Sequence, residues 1–372
     1  MKTLSFFAFF ALIGTGAILP EPVIAQSSGY SISGRVVAAE RGEALANVNI
    51  YLSQTTIGTT SDSDGSFQLS GIPEGIHQLA VSYVGFKTIL TTLDTDSLMT
   101  DFLFEMQEEV FEMEGVTVTY DRVWEGNYYA FKNNFLGATE NSEYSTILNS
   151  KSLNFSFDAE ALILTAESNE PLTIENQALG YQIDYDLDTF EVDFKRGQNL
   201  VAGATFFREM EPSDSLQMKN WEKNREVSYY GSFQHFIDSL IGDSLSAAGY
   251  EIRRERRTED QRFLGEDPIP PASIFYSVNE DTYVLQFNDY IYVTYTKEEV
   301  NQRYLNWRYG YRAREMGPGP QSTSIFIEGR TVFVDKSGYI SDPLRVFMDG
   351  YWSYTKVADL MPLNYKQGSG GF

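Results

Sequence analysis

A serine, a histidine and an aspartate recur at intervals of three residues, as Ser232, His235 and Asp238. On a helix this spacing places the three side chains on one face, and a hydrolase would use the serine as nucleophile and the histidine as its base. The sequence around Ser232 is not the G-x-S-x-G turn of such enzymes. A serine at the start of a helix instead accepts hydrogen bonds from backbone N–H groups. We interpret Ser232 as an N-cap and keep His235 as a candidate ligand or partner contact.

The acidic stretch Asp62-Ser63-Asp64-Gly65 is similar to the opening of a calcium-binding loop. A complete EF-hand loop needs a bidentate glutamate at its twelfth position and flanking helices. That position is Pro73, and the flanking residues favour strands. Because glycine adopts positive φ without steric cost, we predict a hairpin turn here.

Residues 253–257 (RRERR) form a cluster of basic residues. On a strand, Arg254 and Arg256 share one face, and Arg253 and Arg257 share the other. The cluster could bind a phosphate or lipid headgroup, or it could form internal ion pairs with the abundant carboxylates. We keep Arg254 and Arg256 as candidate contacts.

Aromatic residues concentrate at two places near the C-terminus, and their flat rings could stack on sugars or pack in a core. The candidates are Trp307, Tyr309, Tyr311, Tyr351 and Trp352. The sequence has two histidines, far apart, and no H-E-x-x-H or H-x-H motif, so we predict no metal site. We predict no cofactor and no catalytic residue.

The composition excludes several functions. The chain has 372 residues, enough for two or three domains, and it is 42% hydrophobic and 15% aromatic, which is typical of globular proteins. Its net charge of −24 disfavours nucleic-acid binding, and we interpret this acidity as a contribution to solubility. The absence of cysteine excludes disulfides, thiolate zinc sites, a cysteine nucleophile and an N-terminal lipoprotein anchor.

The first residues predict export. Lys2 precedes an apolar run at residues 4–19, and small residues at 23–25 suit a signal peptidase. Gly14, Gly16 and Pro20 interrupt the run, which is shorter than the roughly 20 apolar residues of a membrane span. We therefore favour a signal peptide at 1–25, cleaved before Gln26, over a retained anchor. We predict no transmembrane helix in the mature chain.

Residues 27–107 predict an all-β sandwich. Apolar and polar residues alternate at 32–36, 48–53 and 79–83, and turn residues separate these runs at short intervals. Such regularly spaced short strands are typical of a sandwich rather than of a βαβ unit.

This stretch resembles the carboxypeptidase regulatory-like domain, a transthyretin (prealbumin)-like Greek-key sandwich. It is especially similar to the form that precedes TonB-dependent receptors in the Bacteroidota. Residues 32–36, 43–52, 58–60, 62–67 and 81–86 carry the resemblance. The resemblance implies a fold and an accessory role, and it does not imply peptidase activity.

After a linker and strand at 108–120, residues 121–366 predict a mixed α+β domain, followed by a tail at 367–372. Strands are expected on both sides of a helical region at 212–249, and this order favours α+β over α/β. Several segments resemble Bacteroidota exported proteins of unknown function with the same layout, namely residues 174–181, 221–225, 230–236, 350–353 and 357–365.

These observations predict an exported, non-enzymatic accessory protein of the periplasm or outer-membrane surface. Its partner would be an outer-membrane transporter, another envelope protein or a glycan. Two alternatives remain open, a small outer-membrane β-barrel carrying the sandwich as an extension and a hydrolase of unrecognised type.

Overall fold

The computed structural model describes residues 29–97, 101–109, 122–258 and 261–365. The predicted signal peptide at 1–25, the strand at 116–120 and the tail at 367–372 lie outside these residues. Among the helices described, none is long and apolar enough to span a membrane.

The N-terminal part is a two-layer β-sandwich of short strands. They are β1 (Tyr30–Ala38), β2 (Asn49–Leu52), β3 (Gly58–Thr60), β4 (Ser66–Ile72), β5 (Ile76–Ser82), β6 (Ile89–Asp94) and β7 (Asp101–Met106). One sheet has the order β4-β1-β7 and the other β3-β2-β5-β6. Alternate apolar residues meet between the sheets, and Val36, Ile50 and Leu79 are fully buried there. The predicted all-β sandwich is confirmed.

The turn at Asp64-Gly65 differs from the prediction in one respect. Gly65 has φ +80°, and its N–H donates to the carbonyl of Asp62 at 2.9 Å, as a tight turn requires. The flanking strands β3 and β4 belong to different sheets, however. The turn therefore carries the chain across the sandwich and is not a hairpin within one sheet.

A six-stranded sheet and a covering helix follow. The elements are α1 (Arg122–Phe135), α2 (Glu140–Glu143), β8 (Ser145–Ile147), β9 (Leu153–Asp158), β10 (Ile163–Ser168), β11 (Leu172–Asn176), β12 (Tyr181–Asp193) and β13 (Gln198–Glu209). The sheet order is β8-β11-β12-β10-β9, and β13 pairs with β12. Phe131 and Phe135 of α1 pack on Phe190 and Tyr185 of β12, with ring centroids 4.5 and 4.9 Å apart.

Strand β12 corrects one boundary. The sequence predicts two strands, at 181–187 and 190–194, where the structure has one. The register with β13 shifts between Leu187 and Thr189, so the extra residue is accommodated as a bulge.

The remaining chain builds two more sheets and several helices. The elements are α3 (Ser215–Tyr229), α4 (Phe233–Ile241), α5 (Leu245–Ala248), β14 (Tyr250–Arg257), β15 (Arg262–Pro268), β16 (Phe275–Ser277), β17 (Thr282–Gln286), β18 (Tyr290–Glu299), α6 (Gln302–Tyr309), β19 (Pro320–Ile327), β20 (Thr331–Asp335), β21 (Val346–Gly350) and α7 (Tyr351–Tyr354). The sheet orders are β15-β14-β18-β19-β21 and β16-β17-β20. Phe236 and Ile237 of helix α4 belong to one hydrophobic core with residues of both sheets. The predicted mixed α+β part is confirmed.

Helix α4 ends differently from the prediction. The sequence places Gly242 at the left-handed position after the helix. In the structure Gly242 keeps φ −80°, and the next residue, Asp243, takes the left-handed conformation with φ +47°. Aspartate tolerates this conformation better than most residues, so the helix stops one residue later than its glycine suggests.

The sandwich is docked on the rest of the molecule. Tyr51 of β2 stacks on Phe206 of β13 with ring centroids 5.0 Å apart. The N–H of Phe207 donates to the Thr55 carbonyl at 3.0 Å, and the N–H of Thr56 donates to Asn364 Oδ1 at 3.1 Å. Gly58 faces the Phe206 ring so closely that a Cβ there would lie 2.4 Å from it. The outer face of the four-stranded sheet is therefore an internal interface.

Candidate functional site

The serine, histidine and aspartate near α4 do not form a catalytic relay. Ser232 caps α4 and accepts from the His235 backbone N–H at 3.1 Å, as predicted. The His235 ring is buried and lies 3.0 Å from the Tyr250 hydroxyl through Nδ1, and burial lowers the pKa of His235 to about 4. Asp238 accepts from the Tyr229 hydroxyl at 2.7 Å. Each polar group has a structural partner, so nothing here prepares a serine for attack.

The predicted turn at 62–65 is also structural. Asp64 Oδ1 accepts from the backbone N–H and the hydroxyl of Ser66, at 3.0 and 2.6 Å. Among the described residues, Glu74, Asp96 and Asp281 have carboxylate oxygens close enough to one another to hold a metal ion. The ammonium of Lys336 binds Asp281 at 2.5 Å and Glu74 at 3.4 Å. Lys336 therefore already pairs with two of these three carboxylates.

One row of the five-stranded sheet brings charged and aromatic residues together. Antiparallel pairing aligns Glu255 of β14 with Tyr290 of β18, Tyr290 with Phe326 of β19, and Phe326 with Phe347 of β21. Paired residues point to the same side of a sheet. The opposite side carries Ile291, which is buried in the core. The row therefore lies on the outer side of the sheet.

Glu255 is the buried anchor of this outer side, with 2% of its surface exposed. Its carboxylate binds Arg257 of β14, binds Arg262 of β15 at 2.9 Å, and accepts from the Ser324 hydroxyl at 2.7 Å. A buried carboxylate needs partners of this kind to offset its loss of hydration. Glu255 thereby fixes both guanidinium groups in place.

The two guanidinium groups lie over tyrosine rings. Arg257 is 4.4 Å from the centroid of Tyr290, and Arg262 is 4.4 Å from that of Tyr292. Phe326 packs beside Tyr290 at 5.1 Å and beside Phe347 at 6.2 Å. Cation–π contacts of this type hold the rings and charges in one rigid layer. We call this layer the arginine–aromatic face, made of Arg257, Arg262, Tyr290, Tyr292, Phe326 and Phe347.

Helix α6 borders the arginine–aromatic face. Arg308 of α6 binds Asp349 of β21 at 2.6 Å, and Arg257 binds the same carboxylate at 3.1 Å. Helix α6 therefore brings a third arginine beside the face. Arg312 and Arg314 follow it in an exposed segment and form no ion pair within the described part of the chain.

The structure separates the five predicted aromatic residues. Trp307 is 41% exposed and Tyr311 is 91% exposed, whereas Tyr309 is half-buried. Tyr351 packs on Tyr304 of α6 at 5.3 Å. Trp352 points away into the core, where its Nε1 donates to the Gly231 carbonyl at 2.6 Å. Trp352 and His235 are buried, so neither belongs to an exposed contact surface.

The basic cluster divides between the two sides of β14 as the sequence predicts. Arg254 pairs across the sheet with Ile291, so it lies on the side opposite the arginine–aromatic face, and Arg256 lies on that side too. Both are exposed, and neither forms an ion pair with a described residue. Arg253 and Arg257 instead pair with Glu251 and Glu255. Two of the four arginines, Arg253 and Arg257, therefore form internal ion pairs. They lie on the side of the strand opposite the candidate contacts Arg254 and Arg256.

Residues 32–118 match the sequence profile of the CarboxypepD_reg-like domain. The sandwich strands described above fall almost entirely within this match. The resemblance predicted from the sequence is confirmed, and the N-terminal sandwich is a carboxypeptidase-regulatory-like domain.

One curated relative is TonB-dependent receptor P3 of Formosa agariphila, which is 34% identical over 82 residues. The aligned part is 22% of this chain and 7% of the receptor, so the similarity concerns a small fraction of that protein.

Solved structures give weaker likenesses. A type II cohesin–X-dockerin complex from Acetivibrio cellulolyticus is 17% identical over 31% of this chain and 80% of that chain, with a TM-score of 0.19. A 9R-lipoxygenase from Cyanothece PCC8801 is 8% identical over 64% of this chain and 50% of that chain, also with a TM-score of 0.19. At these TM-scores neither likeness bears on fold or function.

Proposed function

We propose that this protein is an exported, non-enzymatic binding protein of the cell envelope. The predicted signal peptide, the carboxypeptidase-regulatory-like sandwich and its similarity to a TonB-dependent receptor support the location. The partner binds the arginine–aromatic face and is an acidic envelope protein.

The observation that carries this proposal is the arginine pair held over tyrosine rings by a buried carboxylate. Arginine, tyrosine and phenylalanine are enriched at protein interfaces, where preordered side chains lose little entropy on binding. Three guanidinium groups, from Arg257, Arg262 and Arg308, face two carboxylates, those of Glu255 and Asp349. The face is therefore locally positive in a chain of net charge −24, which favours an acidic partner.

Site-specific photo-crosslinking tests the proposal. Leu264 pairs with Glu255 and therefore borders the face, with 43% of its surface exposed. We expect p-benzoylphenylalanine at Leu264 to give one defined adduct in intact cells. The same group at Leu148, which is 56% exposed and lies elsewhere, is the matched control and should give none.

Two arginine variants then locate the contact. Arg262→Gln removes a charge from the face and should reduce the Leu264 adduct severalfold, whereas Arg254→Gln changes the opposite side and should leave it unchanged. Equal adducts from Leu264 and Leu148, or equal loss in both arginine variants, would contradict the proposal.

A glycan is the second candidate partner, because Trp307 and Tyr311 expose aromatic rings that could stack on sugars. Affinity electrophoresis in gels containing neutral or anionic polysaccharides tests this candidate. Retardation that is lost in Trp307→Ala and kept in Arg262→Gln would favour the glycan over the acidic protein.

A further inference from the structure

A cavity of about 260 Å³ lies where the sandwich meets the three-stranded sheet. Strands β5 and β6 line it from the sandwich, and β17 and β20 line it from the other side. The cavity therefore exists only when the two parts are docked. It is slightly smaller than the roughly 300–1,000 Å³ of pockets for drug-sized ligands, so a smaller molecule would fill it.

Asp335, at the end of β20, is the acidic residue that lines this cavity. It is 7% exposed, and its Oδ1 accepts from the N–H of Ser337 at 2.7 Å, from the Ser337 hydroxyl at 2.6 Å and from the N–H of Tyr339 at 3.0 Å. Oδ2 is buried and has no hydrogen-bond partner among the described residues. A buried carboxylate oxygen in this state is costly, and burial raises the pKa of Asp335.

The cation nearest in sequence does not satisfy Asp335. Lys336 directs its ammonium to Asp281 and Glu74, as described above. His77 also lines the cavity and is 5% exposed, but its Nε2 donates to the Pro73 carbonyl at 2.8 Å. Attraction to His77 lowers the pKa of Asp335 and partly offsets the effect of burial.

The rest of the wall is apolar, carries hydroxyl groups, or is formed by Gln78. Ile76, Leu90, Phe333 and Val334 supply the apolar surface, and Thr282 supplies a hydroxyl. An unused carboxylate oxygen beside an apolar wall suits a ligand that offers N–H donors on a small hydrocarbon body.

The geometry points to a binding site for a small organic amine in this cavity, with its ammonium group on Asp335 Oδ2 and its hydrocarbon part against Leu90 and Phe333. An ammonium provides three donors and a positive charge, which together satisfy a buried carboxylate. The negative net charge of the protein would also raise the local concentration of a cation. This site is separate from the arginine–aromatic face, so the two proposals can be tested independently.

Calorimetric titration with benzylamine and with its neutral isostere benzyl alcohol tests this site. We expect benzylamine to bind the full chain with a Kd of about 1 mM, as its size allows, and benzyl alcohol to bind at least tenfold more weakly. Asp335→Asn keeps an oxygen for the three donors on Oδ1 but places an NH₂ where Oδ2 was. That variant should weaken benzylamine binding about tenfold or more.

A second pair of variants covers the case in which Asp335→Asn fails to fold. Leu90→Trp fills the cavity from the 45% exposed Leu90 and should abolish binding, whereas Leu103→Trp, at a 62% exposed residue of β7 outside the cavity, should leave it unchanged. Equal binding of amine and alcohol, no binding of benzylamine at millimolar concentration, or binding that survives Leu90→Trp would overturn the inference.

Discussion

Burial shifts the pKa values of the titratable residues around α4. The Asp238 carboxylate accepts from the Tyr229 hydroxyl, and burial raises the pKa of its carboxyl group to about 6. His235 is surrounded by aromatic rings, including those of Tyr230 and Tyr250. These groups would stand out in a search for an active site, yet their neighbours are core residues. Their perturbed pKa values therefore report the cost of burying charge.

Asp238 makes stability depend on pH in a predictable direction. Its pKa rises from 3.8 to about 6 on folding, so the stabilisation by the protonated form is present at low pH and lost as the pH rises through about 6. Asp238→Asn mimics the neutral carboxyl group. The quantity compared is the free energy of unfolding of Asp238→Asn minus that of the unmodified protein. We expect this difference to be higher at pH 7.5 than at pH 4 by up to about 3 kcal/mol. Urea unfolding at both pH values measures this difference.

Asp158→Asn is the control for this experiment. Backbone N–H groups of Ala161 and Glu160 lower the pKa of Asp158, so its variant should show the opposite pH dependence. The same trend in both variants would contradict the assignment to Asp238.

At the scale of elements, Glu255 attaches the edge strand β15 to the sheet. Every residue of β15 except Gly265 is exposed, so little apolar burial holds this strand. Its ladder with β14 is also interrupted, because the register shifts between Arg253 and Glu255. The bond from Arg262 to Glu255 therefore supplements the backbone pairing of β15 with β14.

Glu255→Gln should loosen this edge. Loss of the buried charge weakens its bonds to Arg257 and Arg262, and we expect a destabilisation of about 2 kcal/mol with faster hydrogen exchange in β15. Glu251→Gln is the matched control, because Glu251 lies on the same strand, pairs with Arg253 and is 38% exposed in its side chain. It should change stability by less than about 1 kcal/mol. Equal effects of the two variants would show that Glu255 has no special role.

At the scale of the whole molecule, the sandwich behaves as an integral part of the structure. It contacts β13 through Tyr51 and Phe206, reaches the C-terminal segment through Asn364, and is joined to the three-stranded sheet by Lys336 and Glu74. Three separate contacts fix its orientation. The cavity proposed to bind an amine is a consequence of this docking.

Phe206→Ala should uncouple the two parts. Phe206 is 8% exposed and fills the interface, and its truncation should cost about 3 kcal/mol of docking free energy. All four tryptophans lie outside the sandwich, so tryptophan fluorescence reports on the later part alone, whereas far-UV circular dichroism reports on both. We expect coincident urea transitions in the unmodified protein and separate ones in Phe206→Ala.

Phe157→Ala changes a ring that is 45% exposed on β9 and serves as the control. Its two transitions should coincide. Separate transitions in the unmodified protein would show that docking does not couple the parts, and coincident transitions in Phe206→Ala would show that other contacts suffice.

Local patterns in the sequence were sufficient to predict the sandwich, the Ser232 cap and most strands. Each depends on neighbouring residues, through alternation along a strand or a side chain that bonds its own helix. Helix α1 was missed because aromatic residues, asparagine and Gly126 give it low helix propensity. The spacing of Phe131 and Phe135, four residues apart, was the signal that could have found it.

The arginine–aromatic face and the amine cavity were decided only by tertiary structure. Alternation at 290–295 could have indicated that Tyr290 and Tyr292 share a face opposite Ile291 and Val293. Glu255 and Arg262 lie on the consecutive strands β14 and β15, but no local rule brings Asp349 to them, because its position depends on the order and register of β14, β18, β19 and β21. Likewise Asp335 and His77 meet only because the sandwich docks where it does. Alternation fixes which residues share one strand face, but the packing of distant elements decides which of those faces meet.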